Sequence, residues 1–167
     1  MLATPLVKKI GDRLSQKNQR LAVAESLTGG RIQSLITSVS GASRFFEGGI
    51  TTYTLDQKVR HLSVDREHAA SCNCVSSSVA KEMAIGVCEL FHVDYSIATT
   101  GYAEPDIENG IPIPHAFLCV CKNGDENATI VRRVEWNGEA NRNAAQEFFA
   151  TTAIEMLHEL VISRPDA

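Results

Sequence analysis

The stretch Leu21-Ala22-Val23-Ala24-Glu25-Ser26-Leu27-Thr28-Gly29-Gly30 constrains the fold more than any other, because an apolar run stops abruptly at small hydroxyl and glycine residues. Leu21 to Ala24 suit a buried strand, and Arg31-Ile32-Gln33-Ser34-Leu35-Ile36 opens a helical apolar pattern. Ser26 to Gly30 are therefore predicted to form a strand-to-helix turn. Such a turn aims backbone N–H groups and the positive end of a helix dipole at whatever lies above it, and two glycines permit close approach. An anion such as phosphate fits there. The plainer reading is that Ser26 and Thr28 cap the helix while Gly29 and Gly30 relieve a tight turn.

The rest of the chain arranges itself around that turn. Leu6, Val7, Ile10 and Leu14 recur at helical spacing and place an amphipathic helix before the strand. Beyond the turn, Ile32, Leu35, Ile36 and Val39 form the buried face of a helix that Ser40-Gly41-Ala42-Ser43 breaks. Residues 48–54 are rich in β-branched side chains and read as a strand, and 56–61 as a charged helical segment, so Tyr53 and Lys58 straddle a second strand-to-helix junction. Residues 77–91 follow as a helix with Val79, Met83, Val87 and Leu90 on one face. Residues 95–99 read as a strand and 100–110 as a loop. Residues 116–121 and 128–134 form two strands joined at Asn123-Gly124-Asp125, which favours antiparallel pairing, and 140–161 a closing helix. This order predicts an α/β fold: a single-domain three-layer αβα sandwich with a mixed sheet, spanning 1–167.

A chain of 167 residues can bury a sufficient core without metal or disulfide help. A net charge of −4, with no run of Lys or Arg, argues against nucleic acid as a partner. No apolar stretch has the length of a bilayer span, so no membrane association is expected. The five cysteines are odd in number and Met1-Leu2-Ala3-Thr4-Pro5 carries no signal-peptide pattern, which points to a reduced cytoplasm without disulfides. Cys72/Cys74 and Cys119/Cys121 are spaced C-x-C rather than the C-x-x-C of common zinc sites, so no metal is expected, and Cys88, Cys119 and Cys121 read as small buried hydrophobes. The partner expected is a small molecule.

Ala24-Glu25-Ser26-Leu27-Thr28-Gly29-Gly30 resembles the A-E-S-x-T-G-G signature of the CinA C-terminal domain family, named for competence/damage-inducible proteins, whose active members are nicotinamide-nucleotide amidases. Further landmarks agree in order. Gly41-Ala42-Ser43 with Phe46, Gly48 and Gly49 is similar to the family's G-A-S-x-x-F-x-G-G stretch, and Tyr53-Thr54-Leu55-Asp56-Gln57-Lys58 to its Y-S/T-N-x-x-K segment. Val75-Ser76 with Val79-Ala80 and Met83-Ala84 resembles V-S-x-x-V-A-x-x-M-A, and Thr100-Gly101-Tyr102-Ala103 parallels the T-G-I-A loop.

The resemblance implies hydrolysis of nicotinamide mononucleotide to nicotinate mononucleotide and ammonia. Ser26 would be the nucleophile, Lys58 its base and Tyr53 an assisting group. A serine hydroxyl is weak until a neighbour takes its proton, and a lysine can do so only where its surroundings favour the neutral amine. Thr28, Gly29, Gly30, Ser43, Thr100, Gly101 and Arg142 match substrate-binding positions. Either the N–H groups of Thr28 to Gly30 or the Thr100 hydroxyl would stabilise an oxyanion, although the same helix N-terminus could instead hold phosphate. No cofactor is implied, the partner is a nucleotide substrate, and the family leads one to expect a homo-oligomer. The full-length family arrangement has a further N-terminal domain that this sequence lacks, so DNA uptake is not implied.

The pattern breaks in one loop. Glu104 stands where the family has glycine, Asp106-Ile107-Glu108-Asn109 replaces a flexible run, Pro114-His115 replaces G-T, and Leu55 replaces an asparagine. The loop is therefore predicted to take another path, and three added carboxylates would repel a phosphate if they faced it. That supports an alternative: a catalytically inactive or respecialised CinA-like protein binding another small ligand.

Overall fold

The computed structural model of the chain describes residues 3–139 and 141–163. In chain order they form α1 (Ala3–Gln16), β1 (Leu21–Glu25), α2 (Arg31–Thr37), β2 (Phe46–Thr51), α3 (Leu55–Leu62), α4 (Arg66–Ser71), α5 (Ser77–Phe91), β3 (Tyr95–Tyr102), β4 (His115–Lys122), β5 (Asp125–Glu135) and α6 (Arg142–His158), which runs on as a π-helical turn, Glu159–Ser163. The sheet order is β2-β1-β3-β4-β5. β1 pairs in parallel with β2 and β3, whereas β3–β4 and β4–β5 are antiparallel. The sandwich with a mixed sheet is the architecture expected.

Strand alternation decides which layer each side chain joins. Leu21 and Val23 of β1 pack with Val7, Ile10, Ile32, Phe149 and Ile154 from α1, α2 and α6. Ala22 and Ala24 point the other way, into a core with Leu62 of α3 and Met83, Ala84 and Val87 of α5. Both faces are covered, so all five residues of β1 are buried. Helices α3 and α5 meet backbone to backbone: a Cβ built on Gly86 would lie 2.2 Å from the Leu62 carbonyl oxygen. Cys88, Cys119 and Cys121 are buried in this second core, as expected, and all five cysteines are free thiols.

Several boundaries differ from the sequence expectation, for identifiable reasons. β2 starts at Phe46 and ends at Thr51, because the Thr54 carbonyl already accepts the Lys58 N–H (3.1 Å) and starts α3. β3 extends through Thr100 and Gly101 to Tyr102, which were expected in a loop: their loop-like composition is overridden by β4, which pairs with the whole strand from Tyr95↔Lys122 to Tyr102↔His115. Leu90 is 44% exposed rather than buried; in the last turn of α5 it is Phe91 that packs inward, with its ring 3.0 Å from where a Gly48 Cβ would stand. α4 was not expected, being six residues long and too short for periodicity; the Asp65 carboxylate caps it by accepting the His68 N–H (2.7 Å). Asn141 caps α6 through Ala144 N–H (3.1 Å). The expected start of that helix at Ala140, and Met1 and Leu2 of the segment read as lacking a signal-peptide pattern, lie outside the described residues. Among the described residues no helix is long and apolar enough to cross a membrane, and no three His, Cys, Asp or Glu side chains cluster as a metal site.

Candidate active site

The C-terminal ends of the parallel strands β1, β2 and β3 lie side by side, the place where open α/β sheets hold ligands. Ser26 follows β1 directly and continues the side of the strand that faces α3 and α5. Lys58 reaches it from α3, with Nζ 2.9 Å from Ser26 Oγ. Lys58 is only 1% exposed. Its other polar contacts are two backbone carbonyls, Thr52 O at 2.7 Å and Tyr53 O at 3.3 Å. Burial therefore pushes the Lys58 pKa below the ordinary 10.5, with the nearby Cys74 thiol acting weakly in the opposite sense. A neutral amine carries two N–H donors and one lone pair. Two carbonyls satisfy the donors, and the lone pair is left to accept the Ser26 hydroxyl proton.

The turn between β1 and α2 takes the expected place but not the expected electrostatics. The Glu25 carboxylate, buried at the end of β1, accepts the N–H groups of Gly30 (3.0 Å), Ile32 (3.3 Å) and Gln33 (3.0 Å) and the Gln33 side-chain amide (3.2 Å). An internal anion thus fills the helix N-terminus that sequence reasoning offered to phosphate. Gly29 N–H donates to the Ser26 carbonyl (3.1 Å), so neither glycine has a backbone donor left for a ligand. Thr28 is buried, and its hydroxyl pairs with Thr99 Oγ1 at 2.9 Å. Gln146 of α6 donates to the Leu27 carbonyl (2.6 Å) and clamps the turn from behind. Among the described residues, the N–H groups of Leu27 and Thr28 have no hydrogen-bond partner in the protein and are the donors this turn retains beside Ser26.

A cavity of about 420 Å³ opens over Ser26 and Lys58, within the range of small-molecule sites. One wall is the end of β3. The Thr100 hydroxyl donates to the Cys74 carbonyl (2.6 Å), so it cannot also donate to an oxyanion. Gly101 lets β4 come close: a Cβ there would stand 2.3 Å from His115 O. The facing loop carries Asn73 and Cys74 with consecutive positive φ values, 51° and 61°, held by the Thr100 bond and by Asn73 Nδ2 donating to Tyr102 Oη (3.1 Å). Cys74 faces the cavity, where burial pushes its thiol pKa up and the Lys58 charge opposes that rise.

The mouth is framed by Tyr53, Glu104 and Arg142. Arg142, the first residue of α6, places Nη1 2.5 Å from Glu104 Oε1 and Nη2 2.9 Å from Tyr53 Oη. The Tyr53 phenol thus meets Arg142, and it is the Tyr53 backbone carbonyl that contacts Lys58. The altered loop closes on itself through paired bonds between Asp106 and Ile111 (2.7 and 2.8 Å), with the Asp106 carboxylate accepting Asn109 Nδ2 (2.7 Å). Glu108 faces solvent. His115 lies outside the cavity lining, its ring 5.4 Å from that of Tyr102.

Ser26, Tyr53, Lys58, Thr100, Gly101 and Arg142 therefore line one cavity, while Thr28, Gly29 and Gly30 lie behind it. Ser43 does not join them: it is exposed just before β2, at the opposite end of the sheet from Ser26. Sequence reasoning missed Glu25, Thr99, Cys74 and Gln146. Only Glu25 had a signal, as a lone carboxylate closing an otherwise apolar strand.

Comparison with known proteins finds similarity to one family. Residues 3–161 match the CinA C-terminal domain. The chain is 34% identical over 159 residues to a CinA-like protein of Picosynechococcus, covering 95% of this chain but 37% of that protein's length. Against Protein MG115 of Mycoplasma genitalium it is 33% identical, covering 91% of this chain and 94% of the relative. Among solved structures, a competence-damaged protein (CinA) superfamily member from Klebsiella pneumoniae superposes with a TM-score of 0.87 at 25% identity, covering 97% and 99% of the two chains.

Proposed function

The chain belongs to the CinA C-terminal domain family, and on that footing we propose that it hydrolyses the carboxamide of nicotinamide mononucleotide, releasing ammonia and leaving nicotinate mononucleotide. The observation that carries this reading is the Ser26–Lys58 pair, 2.9 Å apart in a buried setting that favours the neutral amine. Ser26 Oγ attacks the carboxamide carbon while Lys58 Nζ takes the hydroxyl proton. The carbonyl oxygen becomes an oxyanion, stabilised by the free N–H group of Leu27, which lines the cavity. Lys58 returns its proton to the departing nitrogen, the C–N bond breaks to release ammonia, and the acyl group stays on Ser26 Oγ as an ester. Water, deprotonated by the same amine, then cleaves the ester to the carboxylate and restores the Ser26 hydroxyl. Tyr53 orients Arg142 at the mouth rather than touching the reacting atoms. The reading also carries over the expected nucleotide partner and a homo-oligomeric assembly.

The test is ammonia release from nicotinamide mononucleotide by purified protein, beside Ser26→Ala and Lys58→Ala. Activity in the wild type that both variants lose, with circular dichroism unchanged, supports the amidase. A folded wild type without turnover would sink it in favour of a respecialised site.

A further inference from the structure

Among the described residues, each cation on the lining of this cavity and the helix N-terminus behind it already has an internal partner. The α2 N-terminus holds the Glu25 carboxylate. Lys58 is buried beneath Ser26 with its hydrogen bonds assigned. Arg142, the remaining cation on the lining among the described residues, binds Glu104 through one terminal nitrogen and Tyr53 through the other, so a phosphate gripping both nitrogens must compete with these partners. Asp106 adds a second carboxylate to the same rim.

We propose that Glu104 is a specificity-determining residue that competes with a substrate phosphate for Arg142, and so widens the substrate class from phosphorylated nicotinamide-type amides to their unphosphorylated nucleosides. This rests on the amidase reading above. The physical reason is competition for one guanidinium. The pair is solvent-accessible, its side chains 41% and 59% exposed, so a phosphate dianion can displace the carboxylate. Displacement leaves Glu104 unpaired beside two like charges, a cost that a ligand ending in a hydroxyl never meets. The N-ribosyl pyridinium of the nucleoside is itself a cation, and a rim bearing Glu104 and Asp106 favours it. Glu104 stands on the loop rather than on a helix or strand, which lets it reach Arg142 across 38 residues of sequence without disturbing the sheet.

The experiment measures kcat/KM for ammonia release from nicotinamide mononucleotide and from its dephosphorylated nucleoside, with wild type, Glu104→Gln, Arg142→Gln and the double variant. Glu104→Gln should raise the nucleotide-to-nucleoside ratio about tenfold, less at high salt, and the rise should vanish in the Arg142→Gln background. A ratio unchanged or lowered by Glu104→Gln would overturn the proposal and make Glu104 a support for Arg142. If the wild type hydrolyses neither compound, the amidase reading fails by itself. Calorimetric titration of nicotinamide mononucleotide then decides on Glu104: about tenfold tighter binding to Glu104→Gln supports competition, and equal binding refutes it.

Discussion

Lys58 Nζ lies 2.9 Å from Ser26 Oγ although the two residues are 32 positions apart and belong to different layers of the fold. Strand β1 delivers the serine at its C-terminal end and α3 delivers the amine from beneath, so neither side chain needs to move to exchange a proton. In the proposed reaction the two act as one unit, so removing either should cost nearly as much as removing both. Ser26→Ala and Lys58→Met are each expected to lower kcat by roughly 10⁴-fold, with the double variant no slower than the worse single one. Multiplicative losses in an ammonia-release assay would mean that the two groups act independently.

The depressed Lys58 pKa has consequences for both rate and stability. In the proposed reaction the neutral amine is the working form, so kcat/KM should climb with pH and level off below 10.5. Between the folded pKa and 10.5, the unfolded chain holds a proton that the native one lacks, so stability rises with pH across that window. Relative to Lys58→Met, the wild type should therefore gain up to about 1.4 kcal/mol per pH unit there, measured by urea unfolding at two pH values. A pH-independent difference would show that Lys58 stays charged in the fold.

Glu25 accepts four N–H donors with one buried carboxylate. Glu25→Gln places an amide NH₂ against donors and removes the charge that faces the helix dipole. The expected cost is roughly 2 kcal/mol, or about 4–8 °C in Tm. Activity should fall as well, since the same turn carries Ser26. Differential scanning calorimetry showing no loss would refute the assignment of Glu25 as the cap of α2.

Gly101 lines the cavity and pairs with Ala116 of β4. A methyl group there would stand 2.3 Å from His115 O and 2.6 Å from Ala116 Cα, both backbone atoms that cannot swing aside. Gly101→Ala should therefore cost about 1–3 kcal/mol in chemical denaturation and reduce turnover per folded molecule. Gly124→Ala makes a control for position: nothing lies within 4 Å of its Cβ, and its strain at φ +75° stays in the hairpin.

Local chemistry made much of this molecule legible before any coordinates. A short apolar run marks β1, hydroxyl and glycine residues mark the turn at Ser26, and Asn123-Gly124 marks the hairpin, because each depends on residues within a few positions of one another. The family signature then located Ser26, Tyr53, Lys58, Thr100, Gly101 and Arg142, which do line one cavity. Ser43 failed to join them because sequence proximity to β2 does not say which end of the strand a residue occupies relative to β1.

What the sequence by itself determined is therefore most of the elements, their order and the residue types available for chemistry. Tertiary structure alone decided how those groups are spent. Glu25 takes the helix N–H groups, the Thr100 hydroxyl donates to the Cys74 carbonyl, and Glu104 pairs with Arg142. The reason is that periodicity and turn preference are local properties, whereas each donor or acceptor is committed to whichever partner the packed layers bring within about 3 Å, and that distance exists only once the chain is folded.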